Sequence, residues 1–99
     1  MNQLIFAPAA IADLQEIHAY IANDNLPAAE KFINRLQKRC LDLSFHPGAG
    51  TKRVGLLHGM RSATEGDYVI FYLELPDGVE VVRIVHGKRD LKSLFRQEN

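Results

Sequence analysis

Near the carboxy-terminal end of the chain, two runs of strand-forming residues, "YVIFYLEL" at 68–75 and "VEVVRIVH" at 79–86, are separated only by Pro76-Asp77-Gly78. A turn tripeptide of this kind makes the two runs an antiparallel hairpin. In the first run Val69, Phe71 and Leu73 alternate with Tyr68, Ile70 and Tyr72, so apolar side chains project from both faces. Such a strand belongs in the middle of a sheet and is covered, at least in part, on both sides. The rest of the chain must therefore supply edge strands and a covering layer.

The upstream half supplies both. "NQLIFAP" is a short β-type run ended by Pro8, which suits a first or edge strand because proline cannot donate to a ladder. From Ala9 the period changes: Ile11, Leu14, Ile17 and Ile21 lie three or four apart, one apolar stripe on a helix, until "NDN" stops it. Asn25 is placed to cap a second helix, with Pro27 in its first turn and Glu30 at the positive end of its dipole. Phe32, Ile33, Leu36, Cys40 and Leu43 form its stripe, Arg35, Lys38 and Arg39 fall toward its C-terminal half, and "HPGAG" at 46–50 ends it. A further strand is expected around Leu56–Ala63, and "DLKSLF" from Asp90 has Leu91, Leu94 and Phe95 at helical spacing. The expected order is βααβββ with a short C-terminal helix, helices and strands segregated rather than alternating, which is α+β.

Composition narrows the function. Ninety-nine residues suffice for one core and a single domain over 1–99. Twelve Lys and Arg against twelve Asp and Glu give no net charge, so a whole-molecule grip on nucleic acid is not expected. Cys40 stands alone among helical apolar residues and reads as packing rather than redox chemistry. His58 and His86 have no Cys or His at metal-ligand spacing, and no nucleophile-elbow motif surrounds Ser62 for a Ser62–His86–Asp90 hydrolase. No apolar run reaches spanning length and no charged stretch leads into an apolar one at the start, so a cytoplasmic protein without a cofactor is expected.

The order of features is more specific than any one of them. "AIADLQEIHAYIANDNLPAAEKFINRLQKRCLDLSFHPGAG", then "GMRS", "DYVIFYLEL" and "VVRIVHGKRD", resembles the ParE-type toxins of bacterial type II toxin–antitoxin modules, within the RelE/ParE superfamily. The resemblance covers nearly the whole chain and implies a helical hairpin packed on a small antiparallel sheet, and a toxin held inactive by a cognate, ParD-like antitoxin. It implies two alternative activities: members of the ParE type poison DNA gyrase, stalling it with DNA cleaved, whereas RelE-like members cut messenger RNA in the ribosomal A site.

Cutting RNA requires a 2′-OH to be deprotonated, phosphate charge to be met by cations and a leaving oxygen to be protonated. Aligned on the RelE-like anchors, this chain has Val69 where those members carry an arginine and Phe95 where they carry a tyrosine, and neither side chain can hold a phosphate or donate a proton. What remains is Arg61 and Arg89, with Lys52 and Arg53 before the strand, and the histidines His86 and His58. The expected primary role is thus gyrase poisoning by binding, without catalytic residues. Arg61, Arg83, His86, Lys88, Arg89, Asp90, Lys92 and Phe95 are the target-binding candidates. The alternative is a ribosome-dependent endonuclease using Arg61, His86 and Arg89, and a third reading is a non-toxic module acting only with its antitoxin.

The bland roles stand beside these. Arg83 lies amid valines and is as well explained by a salt bridge to Glu74 or Glu80, His86 by a structural hydrogen bond, and the basic run over 83–96 by a solvated face. For the antitoxin, an amphipathic segment disordered when free is expected to lay its apolar side on the helical hairpin, touching Tyr20, Leu26, Phe32 and Leu36.

Overall fold

The chain threads β1 (Gln3–Phe6), α1 (Pro8–Ala22), α2 (Leu26–Phe45), a 3-10 turn (Pro47–Ala49), β2 (Thr51–Lys52), β3 (Met60–Glu65), β4 (Tyr68–Leu75) and β5 (Gly78–His86). A computed structural model describes residues 2–56 and 58–89. The expected C-terminal helix from Asp90 lies outside the described residues. Among these, no helix is long and apolar enough to cross a membrane.

Local chemistry sets the helices. Pro8 begins α1 rather than merely ending β1, because its missing N–H costs nothing at a first helical position. Asn25 caps α2 as expected, its side-chain oxygen accepting from the Ala28 N–H at 3.0 Å.

The five strands run in the order β1-β5-β4-β3-β2, so the hairpin strands β4 and β5 lie inside the sheet. β2 through β5 pair antiparallel, but β1 joins β5 in parallel, which makes the sheet mixed rather than purely antiparallel. Parallel neighbours need a long crossover connection, and the helical hairpin provides the first part of it. Where β1 meets β5 the backbones nearly touch: a Cβ on Gly78 would collide with the backbone of Gln3, so only glycine fits there. The strand expected at 56–63 is displaced to Met60–Glu65, and the two-residue β2 was not expected at all.

Each face of the hairpin has its own apolar cluster. Tyr68, Ile70 and Tyr72 of β4 meet Ile17, Leu36, Cys40 and Leu43 of the helices, while Phe71 packs with Met60 and Val85 on the opposite face, against Val69, Leu73, Val82 and Leu56. β5 serves both clusters by slipping register. Phe71 pairs with Arg83 and Tyr72 with Val81, leaving Val82 bulged, so that Val81 and Ile84 both join the helical cluster although they are three residues apart.

Cys40 sits in this core, and burial pushes its thiol from an ordinary 9.0 up to about 12. The folded chain thus retains a proton that the unfolded chain releases. Stability from this group is complete below pH 9.0 and is lost as pH rises toward about 12. Urea unfolding over that range should show a steeper alkaline decline for the native chain than for Cys40→Ala. Parallel curves would contradict this assignment.

Candidate functional site

One buried ion pair fixes the relation of helix to sheet. β1 ends opposite Val81, leaving the outer edge of β5 beyond it without a partner strand among the described residues. Asp13 of α1, only 5% exposed, fills that gap. Its Oδ2 accepts from the Ile84 N–H and from Arg83 Nε, both at 2.8 Å, and its Oδ1 accepts from the Arg83 terminal amino group at 2.9 Å. These bonds hold the Arg83 guanidinium above its ordinary value, against the opposing effect of burial. Arg83 therefore pairs across the helix–sheet boundary, not with Glu74 or Glu80, and its charge is already met. It is a structural residue here rather than an available target contact.

Arg61 is committed in the same way at the other end of the sheet. Nε donates to Glu74 at 2.8 Å, and a terminal amino group donates to the carbonyls of Gly50 at 2.9 Å and Gly48 at 3.4 Å. Beside it the Tyr72 hydroxyl donates to the Pro47 carbonyl at 2.7 Å and accepts from the Gly50 N–H at 2.8 Å. Burial raises the Tyr72 phenol above its ordinary value, with the Gly50 bond and Arg61 pulling the other way. Together these two side chains fasten the turn after α2 to the sheet.

The three residues proposed for RNA cleavage do not converge. Arg61 is paired with Tyr72 across β3 and β4, whereas His86 is paired with Tyr68 across β4 and β5. Four residues of strand separate those positions, roughly 13 Å. Ser62 lies opposite Phe71 and is likewise out of register with His86. Among the described residues, no group of three or more His, Cys, Asp or Glu side chains could hold a metal ion.

Instead, His86 belongs to a groove at the tip of the helical hairpin. This cleft of about 650 Å³ is lined by Tyr20, Ile21, Phe32, Arg35, Tyr68 and His86, with Gly66 and Asp67 of the β3–β4 turn. The rings form a chain: Phe32 lies 5.5 Å from Tyr68, which meets His86 edge-on at 5.4 Å. Arg35 lies 5.3 Å above the Phe32 ring while pairing with Glu65, so its charge is spent. Gly66 has a φ of +58°, and a Cβ there would stand 3.1 Å from the Phe32 ring. Glycine thus keeps the turn out of the groove.

Beyond His86 the chain turns sharply. The Gly87 N–H donates to the Asp67 carbonyl at 2.8 Å, the Lys88 N–H to His86 Nδ1 at 3.2 Å and the Arg89 N–H to the His86 carbonyl at 3.0 Å. Lys88 and Arg89 are exposed, and neither forms an ion pair with a described residue. Asp90, Lys92 and Phe95 lie outside the described residues.

Of the residues expected to meet the antitoxin, Tyr20 is 78% exposed, Leu26 is exposed and Phe32 is half-buried. Leu36 is different: it is fully buried in the helical cluster and cannot be touched without unfolding α2. Its stripe position marked it as core, since Leu36 lies on the Phe32–Cys40–Leu43 face. Sequence reasoning missed Ile21, Arg35, Asp67 and Tyr68 as groove residues. Only their three-dimensional meeting identifies them, although Tyr20 on the polar side of an apolar stripe was a usable signal.

A second cleft, of about 770 Å³, opens at the far edge of the sheet between the loop from Arg53 to Gly59 and strands β3 and β4. Lys52, Arg53, His58 and Arg61 stand along it.

Solved structures share this architecture. A chain of the chromosomal ParDE toxin–antitoxin system from P. aeruginosa superposes with a TM-score of 0.73 at 21% identity, covering 87% of this chain and 96% of that one. A chain of the RelBE2 toxin–antitoxin complex from Mycobacterium tuberculosis gives a TM-score of 0.51 at 27% identity, covering 86% and 96% respectively. No curated protein matches the chain in sequence. The family model for the ParE toxin of the type II parDE toxin–antitoxin system matches residues 4–91, and on that match the chain belongs to the ParE toxin family.

Proposed function

We propose that this ParE-family toxin acts by binding DNA gyrase through the turn from His86 to Arg89 and the segment that follows, without chemistry of its own. A ParD-like antitoxin neutralises it by laying an amphipathic helix over the hairpin tip. The observation that carries the reading is the separation of Arg61 from His86 across β4, together with the commitment of Arg61 to Glu74 and two carbonyls. A phosphate-cleaving site needs convergent groups with free protons and free charge. Lys88 and Arg89, without an ion pair among the described residues, stand at an exposed turn that suits contact with a partner's surface.

The antitoxin reading is supported by the ParDE and RelBE2 similarities and by the aromatic groove around Tyr20 and Phe32. It has the dimensions and apolar lining that suit anchor side chains from a helix. Likeness to the RelBE2 complex favours one other reading, a ribosome-dependent messenger RNA endonuclease.

Removing residues 90–99 tests the primary reading. The truncated chain should remain folded by circular dichroism and lose gyrase inhibition, whereas unchanged inhibition would refute the proposed docking segment. Primer extension on translated messages should show no toxin-dependent cuts. Site-specific cuts would transfer the function to the ribosome.

A further inference from the structure

The cleft at the β2–β3 edge has no part in the proposed contacts, yet its charge balance and lining are not those of an idle surface. Among the described residues Glu74 is the one acidic residue along it, and that carboxylate is taken by Arg61 at 2.8 Å. Lys52 and Arg53 form no ion pair with any described residue, and Arg53 lies 5.7 Å over the Phe71 ring. The cleft thus carries two uncompensated cations on a molecule without net charge. Apart from His58 and two glycines, its other described lining is aliphatic: Leu56, Met60 and Leu73 form the inner wall, and Val54 stands at the rim with 93% of its surface exposed.

Two kinds of anion could be drawn here, and the lining distinguishes them. A single-stranded polynucleotide is held by cations that track its backbone and by aromatic faces on which bases stack. Among the described residues no Phe, Tyr or Trp lines this cleft, its one ring is the small His58 imidazole, and Phe71 beneath Arg53 is fully buried. An aliphatic wall beside a cationic rim instead complements a peptide that combines branched apolar side chains with carboxylates.

We propose that this cleft seats an acidic, leucine-bearing segment of a protein partner. Its aliphatic side chains rest on Leu56, Met60 and Leu73, and its carboxylates pair with Lys52 and Arg53. The site is separate from the hairpin-tip groove and from the His86 turn, and it does not depend on gyrase being the target.

The test uses the full chain and a short fluorescein-labelled peptide in which leucines are flanked by glutamates, followed by fluorescence anisotropy. Binding should saturate, weaken with added salt, and fall by about tenfold or more in Lys52→Glu/Arg53→Glu. Val54→Glu changes a side chain exposed enough to leave folding intact, and it should weaken the same peptide by repelling its carboxylates. No binding to the native chain, or equal binding by the native chain and Val54→Glu, would overturn the proposal. Tighter capture of a labelled oligodeoxythymidylate than of the peptide, lost in the double variant, would also overturn it and make the cleft a polynucleotide site.

Discussion

Asp13→Ala should cost about 3–5 kcal/mol of folding stability, the usual penalty for removing one partner of a buried ion pair. The side chain that remains, Arg83, is itself largely buried, with 22% of its side chain exposed. It would keep its charge with nothing to meet it, and the Ile84 N–H would lose its acceptor. Against a total of about 5–15 kcal/mol for an ordinary domain, that loss leaves a chain near its unfolding threshold. Urea denaturation measures it directly, and a loss below about 1 kcal/mol would show that the pair is solvated and replaceable.

The double variant Asp13→Leu/Arg83→Met separates charge from hydrogen bonding. Replacing both charges removes the desolvation cost together with the attraction, so most of the stability should return. A residual deficit of about 1–3 kcal/mol should remain because the Ile84 N–H at the strand edge is still unsatisfied.

Tyr20→Asp should have the opposite profile, with little effect on folding and a large one on binding. Because Tyr20 is so exposed, its replacement should change stability by no more than about 0.5 kcal/mol. If a partner helix closes over the hairpin tip, this ring becomes its central aromatic anchor, and such positions carry about 2–4 kcal/mol. Antitoxin affinity should therefore fall by roughly a hundredfold, measured by titration calorimetry with a purified ParD-like antitoxin. The variant should still inhibit gyrase but need far more antitoxin to be silenced. Unchanged affinity would move the antitoxin interface away from the tip groove.

These expectations show which structural relations a sequence carries openly. The β4–β5 hairpin was legible because its signal is local: two apolar runs and a turn tripeptide. The cap at Asn25 and the core face of α2 were legible for the same reason, being set by neighbours three or four residues away. The parallel docking of β1 was not, because nothing in "QLIF" specifies the direction of a partner more than seventy residues distant. Nor was the bulge at Val82, although it explains why "VEVVRIVH" fails to alternate.

The candidate site followed the same rule. His86, Lys88 and Arg89 could be singled out by the abrupt change from β-branched residues to charge, and Lys88 and Arg89 are indeed exposed. Whether an arginine is free or committed could not be read from the chain alone. For Arg83 the sequence offers equally a target contact and a glutamate of its own hairpin, yet its partner is a helical aspartate seventy positions earlier. Arg61, a target-binding candidate by sequence, is committed to three acceptors in the fold. In both cases the deciding contact crosses between elements, where sequence spacing says nothing about charge pairing.

The proposed binding of gyrase through the turn after β5 is open to a direct assay: gyrase supercoiling and DNA cleavage with the purified, antitoxin-free protein beside Arg89→Ala. Arg89 is exposed and unpaired among the described residues, so its removal should leave the fold intact. The native protein should inhibit gyrase with accumulation of cleaved DNA, and Arg89→Ala should do so more weakly by about tenfold or more. No inhibition by a folded native preparation, or equal inhibition by the two proteins, would contradict the proposal.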